Sequence, residues 1–288
     1  MAITAKPITR IGIFTAIYIV INALFPMQQS VLTMAYILGV ATTGIIYAVL
    51  LYYLFSFLDL DQKSQVIVIW APLFVIQFFN PILEGYLFTT SINGVDQLLG
   101  AFIFGAILSL LYAIAGTYLF SVKGQKTIGE ATRETLVNRS ASNLVARVLL
   151  ASLSWPVIYF IFGAIVGPYV LPYYTDPSSG YNLILPDVVT LLLVQTFRGF
   201  VYVSSLLPLV FSLKLDFRKL SIILVTFLYT GGGLAIFVIV ETFPVFLRIV
   251  HGIELFADSL FFGFLISYLI GRKDEKIGLE HESILAFN

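Results

Sequence analysis

The chain has no cysteine, only two histidines and few charges. Without cysteine it can form neither a disulfide nor a thiolate metal site, and it has no cysteine nucleophile. Only one histidine, His251, lies near an apolar stretch, which excludes bis-histidine haem ligation and a multi-histidine metal site within the chain. The net charge of zero argues against nucleic acid as a partner. We therefore expect no cofactor and no metal.

The usual enzyme motifs are also missing from the sequence. There is no GxSxG elbow, no HExxH, no phosphate-binding P-loop and no aspartate-rich prenyl-transfer motif. The sequence therefore favours a protein that is not an enzyme, and it predicts no catalytic residue. An ATP-driven process would need a partner chain.

What the chain has instead is apolar sequence. Apolar residues make up 59% of it and charged residues 11%, and its mean hydropathy is +0.98. A bilayer core of about 30 Å needs about 20 apolar residues per helix. Eight stretches meet this requirement: Arg10 to Pro26, Val31 to Leu58, Val66 to Thr90, Gln97 to Phe120, Val148 to Leu171, Val188 to Leu213, Leu220 to Val240 and Val245 to Ile270. The predicted fold class is an all-α, polytopic membrane protein with eight transmembrane helices.

Positive charge is confined to one side of this arrangement. Of the sixteen lysines and arginines, fourteen fall in segments that share one membrane face, and only Arg198 and Arg248 lie inside apolar stretches. Cytoplasmic segments collect positive charge. The distribution therefore predicts a multi-pass protein of the plasma membrane with both termini in the cytoplasm.

Two blocks of sequence recur in the same order. NGVDQLLGAFIFGAILSLL, from Asn93, aligns without gaps on HGIELFADSLFFGFLISYL, from His251, at an offset of 158 residues. TGIIYAVLLYYLFSFLDLD, from Thr43, aligns on RGFVYVSSLLPLVFSLKLD, from Arg198, at an offset of 155. We therefore expect two four-helix repeats. Because each repeat has an even number of helices, both enter from the inside and should be related as parallel repeats.

The repeats and the polar sequence around them predict four regions. Residues 1–122 form the first four-helix membrane repeat, and 147–272 form the second. Residues 123–146 are an amphipathic cytoplasmic linker with a short interfacial helix, and 273–288 are a polar cytoplasmic tail. Asn80 before Pro81 predicts a bend in the third helix. The run Gly231 to Gly233 indicates close helix packing, with an unwound or kinked helix as the alternative.

Polar residues line single faces of two helices in the second repeat. On the eighth helix Arg248, His251, Glu254 and Asp258 share a stripe. On the sixth, Gln195, Arg198 and Tyr202 share another. In the first repeat Arg198 is replaced by Thr43 and Asp258 by Gly100, whereas the acid is kept as Asp96 and Glu254.

These residues have two compatible interpretations. A charge within a membrane faces a cavity or pairs with another charge. The structural interpretation is an ion pair between Arg198 and Asp258. The functional one is an outward-facing site in which Arg198 and Arg248 contact an anionic or polar solute, while the carboxylates bind a cation, take up protons or fix the arginines. Glu84, in a separate cluster with Asn80 and Gln77, and Asp96 are predicted to support the site.

The opening ITRIGIFTAIYIVINALFP, from Ile8 to Pro26, resembles the first helix of substrate-binding S components of energy-coupling-factor vitamin transporters. The resemblance covers about nineteen residues. Those proteins usually have six helices, whereas this sequence predicts eight in two copies. The resemblance implies an outward-facing vitamin site and a partnership with a coupling subunit and ATPases.

The sequence therefore predicts an integral membrane solute transporter or transporter subunit, with a polar site formed mainly by the second repeat. Its partners would be membrane lipid, a small polar or anionic solute, and other membrane subunits or an ATPase. The alternatives are a non-transporting structural subunit of a larger membrane complex and an intramembrane enzyme acting on a lipid.

Overall fold

The structure is a computed structural model that describes residues 6–25, 33–90, 92–122, 124–137, 139–176, 183–234 and 244–271. In these residues seven helices are long and apolar enough to cross a membrane. Many large apolar side chains on their outer faces are exposed, as lipid-facing positions would be. The chain is thus an all-helical protein with the helices of a multi-pass membrane protein.

Nine helices of more than two turns organise the described residues, seven of them the membrane-capable ones, and a one-turn helix, Pro172–Thr175, follows the sixth. In chain order they are α1 Pro7–Leu24, α2 Met34–Phe55, α3 Gln62–Phe88, α4 Val95–Phe120, α5 Ile128–Leu136, α6 Ala141–Val170, α7 Val188–Ser212, α8 Phe217–Tyr229 and α9 Val245–Gly271. Three π-helical turns interrupt or extend them: Val75–Phe79 inside α3, Thr230–Leu234 after α8 and Ser267–Gly271 at the end of α9.

Seven of the eight predicted stretches correspond to these membrane-capable helices. The remaining stretch contains α8 and its π-helical turn, and its predicted end at 235–240 lies outside the described residues, as does the predicted tail at 273–288. Helix α6 begins at Ala141, earlier than the predicted Val148, because its first two turns are polar but helical. Arg147 donates a hydrogen bond to Asn143 Oδ1 within them, at 2.9 Å.

Aspartates begin two of the helices in the same way. Asp61 accepts a hydrogen bond from the backbone N–H of Ser64 at 2.8 Å, and Asp216 accepts one from Lys219 at 3.0 Å. These backbone hydrogen bonds hold the pKa of both carboxyls below its usual range. Asp216 follows Asp61 by 155 positions, which is the offset of the second repeated block.

The same offset relates further structural features. The π-helical turn that begins at Val75 is matched by the one that begins at Thr230, 155 residues later. The strand-like segments after α2 and α7 form an isolated antiparallel bridge between Leu58 and Leu213, again 155 residues apart. Each of these residues is buried.

Helix packing also has the same order in both halves of the chain. Helix α1 packs on α2 as α6 packs on α7, and α3 packs on α4 as α8 packs on α9. The halves meet where α3 contacts α7 and α2 contacts α8, and their π-helical turns contact each other. The core therefore runs through the centre of the molecule, between the two halves.

The predicted linker contains the short helix α5. Thr127 and Glu130 form a reciprocal capping box at its start. Glu134 pairs with Lys126 at 2.7 Å and with Lys214 at 3.2 Å, and hydrogen bonds from these lysines hold its pKa below the usual range. Thr135 Oγ1 donates to the Phe211 carbonyl at 3.0 Å. The linker is thereby attached to the end of α7.

Candidate functional site

Arg198 is the centre of a buried polar cluster. It is the eleventh residue of the 25-residue helix α7, and it is 2% exposed. Its Nη1 lies 2.7 Å from Glu84 Oε1 and donates to Gln195 Oε1 at 3.0 Å. Its Nε donates to Asn80 Oδ1 at 2.9 Å, and its Nη2 to the Tyr202 hydroxyl at 3.5 Å. All three guanidinium nitrogens therefore have a partner within the chain.

Helix α3 supplies both the counter-ion of Arg198 and a side chain fixed by its π-helical turn. Asn80 follows this turn directly, and its Nδ2 donates to the Val75 carbonyl at 2.9 Å, which fixes the side chain and turns its Oδ1 towards Arg198. Glu84 lies one helical turn further on. Its side chain is 30% exposed, whereas that of Arg198 is 3% exposed. The carboxylate is thus the accessible half of the pair.

Aromatic rings enclose the guanidinium of Arg198. Its Cζ lies 5.5 Å from the ring centroid of Trp155 and 5.9 Å from that of Tyr202. Trp155 Nε1 donates to Gln195 Oε1 at 3.0 Å, and Phe262 packs against both rings. Such cation–π contacts are favourable where water is excluded. Trp155 was missed by the sequence reasoning, because an aromatic residue in an apolar stretch is indistinguishable from an ordinary core residue.

The predicted stripe on α9 extends beside this cluster. His251 Nδ1 lies 2.7 Å from Glu254 Oε2. Asp258 follows one turn later and is 2% exposed, and its Oδ1 is buried without a hydrogen-bond partner. It interacts electrostatically with Glu254, Arg198, Glu84 and His251. Helices α3, α7 and α9 therefore place eight titratable or polar groups in one region.

The expected ion pair between Arg198 and Asp258 is wrong: the carboxylate that pairs with Arg198 is Glu84. The separate cluster predicted on α3 is divided in the structure. Glu84 and Asn80 join Arg198, whereas Gln77 Nε2 donates to the Tyr18 hydroxyl at 2.7 Å. Helical periodicity locates residues on a face but does not determine which face of another helix lies opposite.

Two other predicted site residues lie at the periphery. Asp96 is exposed in the first turn of α4. Arg248 is partly buried in the first turn of α9, one turn before His251. The structure therefore brings together Gln195, Arg198, Tyr202, Glu84, His251, Glu254 and Asp258.

A second buried polar group, between α1, α2 and α4, consists of uncharged side chains. Asn22 Nδ2 donates to the Tyr112 hydroxyl at 2.9 Å, and the Tyr36 hydroxyl donates to the Asn22 carbonyl at 3.1 Å. Tyr18 packs against Tyr112 with ring centroids 4.8 Å apart. Tyrosine and amide hydrogen bonds thus connect α1, α2 and α4, whereas the charged cluster lies between α3, α7 and α9.

No protein-family model, no curated protein and no solved structure matches this chain. The fold and hydropathy define its class, a helical integral membrane protein. Its distinguishing feature is a charged cluster buried between helices.

Proposed function

We propose that the chain is a solute transporter or the membrane subunit of one, and that the cluster around Arg198 is its central site. The observation that carries this proposal is the position of the Arg198–Glu84 pair. Arg198 belongs to the second half of the chain and Glu84 to the first, and the pair joins them beside a π-helical turn. In many transporters, solute and ion sites lie between repeats where helices are discontinuous.

We also propose that the two halves are parallel four-helix repeats. The matched π-helical turns, the matched aspartate caps and the bridge between Leu58 and Leu213 support this arrangement, since all follow the offset of 155 residues. The placement of positive charge supports a plasma-membrane protein with both termini in the cytoplasm. In this orientation Glu84 and His251 lie towards the outer side.

The solute class follows from the way Arg198 is bonded. Among the four side chains whose oxygens contact its guanidinium, Glu84 is the only anion, so an anionic group binds in place of Glu84 on Nη1. Glu84 is suited to leave because its side chain is partly exposed. Planar guanidinium groups bind carboxylates and phosphates well. A small anionic or polar solute therefore competes with an internal carboxylate, and the exchange couples binding to movement between the halves.

The proposal is tested by Arg198→Gln in the native host, where partner subunits and any ATPase are present. Solutes in the medium are profiled by mass spectrometry for the wild type, a deletion strain and the variant, at matched protein levels in the membrane. We expect one or more solutes to be consumed by the wild type and left by both the deletion strain and Arg198→Gln. The control is Arg218→Gln, at an exposed arginine, which should behave as the wild type. Unchanged uptake in Arg198→Gln would contradict the proposal.

One observation favours a second function, that of a non-transporting structural subunit. Every nitrogen of Arg198 is satisfied inside the chain, as expected for a charge that fixes helix packing. This function predicts that the deletion strain loses a membrane complex and no solute uptake, and that Arg198→Gln lowers the amount of that complex.

A further inference from the structure

Three titratable residues of α9 become progressively more buried along one face. His251, Glu254 and Asp258 are spaced three and four residues apart, so they lie on the same side of the helix. The side chain of His251 is 29% exposed and that of Glu254 6%, and residue Asp258 is 2% exposed. Asp258 follows Val245 by thirteen residues, about 20 Å along the helix axis. The row thus leads from near the start of α9 into its middle.

Asp258, at the inner end of this row, has a carboxylate oxygen without a hydrogen-bond donor. Its Oδ1 is buried and accepts no hydrogen bond. Arg198, the cation in the same region, has Glu84 as its ion-pair partner. A buried carboxylate oxygen without a donor is costly, and ionisable groups within a membrane commonly mark ion or proton pathways. The oxygen is therefore a candidate to take up a proton or to bind a cation.

A proton fits this site better than a metal ion. The described residues contain no group of three histidine, aspartate or glutamate side chains that could hold a metal. Sodium and other hard cations need several oxygen ligands, but α7 and α9 are continuous α-helices here, so their carbonyls are engaged within the helices. The buried Nε2 of Gln195, which has no hydrogen-bond partner, also lies in this region, and as a donor it cannot serve as a metal ligand. A proton needs only one oxygen lone pair.

We propose that His251, Glu254 and Asp258 form a proton relay that ends at Asp258, beside the Arg198–Glu84 pair. In each transfer an N–H bond of protonated His251 breaks and an O–H bond forms on the Glu254 carboxylate. That O–H bond then breaks, a bridging water carries the proton, and an O–H bond forms on Asp258, which leaves Glu254 ionised again. His251 becomes neutral, Asp258 becomes neutral, and solvent reprotonates His251. The relay rests on the proposed function, to which it adds the proton as the coupling ion.

The contacts permit the two steps. His251 and Glu254 are in direct hydrogen-bond contact at 2.7 Å. Glu254 and Asp258 are one helical turn apart, about 6 Å along the axis, so this step requires a bridging water. Gly163 of α6 leaves space beside Glu254, since a Cβ built there would lie 3.8 Å from Glu254 Oε1.

Other charged and titratable groups surround Asp258 on the neighbouring helices. Arg198 and Tyr202 face it from α7 and Glu84 faces it from α3. Tyr159 of α6 interacts with Glu84, Glu254 and Arg198 at the edge of the same region. Proton arrival at Asp258 removes a negative charge that attracts Arg198. An anionic group at Arg198 then meets less repulsion, so protonation of Asp258 and anion binding at Arg198 are coupled with the same sign.

Infrared spectroscopy tests the relay without a known solute. The full chain is reconstituted into lipid bilayers with aspartate labelled by ¹³C at the side-chain carboxyl, and difference spectra are recorded between mildly acidic and alkaline pH. We expect an aspartic acid C=O band that titrates, is shifted by the label and is absent in Asp258→Asn. The matched control, Asp59→Asn, changes an exposed carboxyl and should keep the band. A wild-type spectrum with no label-sensitive band would overturn the proposal, and so would a band that survives in Asp258→Asn.

The role of His251 is measured by a pH jump. In His251→Gln the Asp258 band should still form, but about 100-fold more slowly, because a general acid–base group has been removed. An unchanged rate would exclude His251 from the relay.

Because no solute is used, these results are separable from the uptake test. If Asp258 titrates but the Arg198→Gln variant retains full uptake, only the proposed solute site is refuted. Uptake that depends on Arg198 while Asp258 does not titrate refutes the relay alone.

Discussion

Arg198 shows how a buried charge depends on its partners at the scale of single residues. Its ion pair with Glu84 joins one half of the chain to the other. Asn80 and Gln195 accept further hydrogen bonds from its guanidinium. When one member of an ion pair in apolar surroundings is removed, the other remains buried without a counter-ion, and its full desolvation cost is no longer offset. The cluster is therefore sensitive to single substitutions on either side.

Glu84→Gln should destabilise the folded protein by about 3 kcal/mol or more, because it removes the counter-ion and leaves the guanidinium of Arg198 buried. The measurement is thermal or denaturant unfolding in detergent. The double variant Glu84→Gln/Arg198→Met should recover much of this loss, since neither charge then remains. In Glu134→Gln, where the ion pairs are largely exposed, stability should change little. A Glu84→Gln protein as stable as the wild type would exclude the pair as an important contact.

The sequence predicted the residues of this cluster better than their pairing. Helical periodicity placed Gln195, Arg198 and Tyr202 on one face, and all three lie together in the structure. It could not identify Glu84 as the counter-ion, because the register between α3 and α7 depends on packing between distant segments. Trp155 carried no signal at all, since its apolar neighbours make it resemble core.

At the scale of helices, the π-helical turns are the least regular elements of the fold. The sequence indicated a bend at Asn80 and Pro81, and it left close packing or a kink as alternatives at the glycine run. A π-helical turn lies directly before the first and over the second. The sequence did not reveal that both turns are π-helical, because no residue type is characteristic of the extra residue in a π-helical turn. The asparagine that follows the first turn bonds back to it, which links its shape to the position of Arg198.

Gly231 permits close packing between the two halves at the second π-helical turn. A Cβ there would lie 2.6 Å from the Tyr47 hydroxyl oxygen and 2.7 Å from a methyl carbon of Ile76. Gly231→Ala should therefore lower stability by about 1–3 kcal/mol, the usual cost of overpacking. The measurement is the unfolding transition in detergent.

Gly232→Ala is the matched control, because the nearest atom to its added Cβ is 4.0 Å away. Alanine favours helix over glycine by about 1 kcal/mol, so this variant should be neutral or more stable. Tyr47→Phe should partly rescue Gly231→Ala by removing the hydroxyl oxygen. Equal stability of the two alanine variants would show that this contact is absent.

At the scale of the whole molecule, the two halves meet along a central interface of α2, α3, α7 and α8. Because the chain has no cysteine, this interface can be tested by disulfide cross-linking: two introduced cysteines can pair only with each other within a chain. Leu58→Cys/Leu213→Cys should form a disulfide within one chain. Residues paired across an antiparallel bridge have Cα atoms about 4.5–5.5 Å apart, within the disulfide range of about 4.4–6.8 Å.

Cleavage at a protease site inserted in the connection between α5 and α6 would reveal the cross-link. Without reductant the two halves should remain joined on a denaturing gel, and with reductant they should separate. The control pair Leu58→Cys/Leu183→Cys should not cross-link, because Leu183 bridges Thr89 at the other end of α3. Separation of the halves without reductant in the first variant would contradict the observed contact.

The bridge between Leu58 and Leu213 has an evolutionary consequence. Under the proposed duplication these are the same position in two copies, so in an ancestor of half the length that leucine would have touched its own counterpart across the two-fold axis of a homodimer. Fusion of the genes freed each copy to change alone. A guanidinium on one side and a carboxylate on the other became achievable only then, since a symmetric dimer would have had to bury every charge twice.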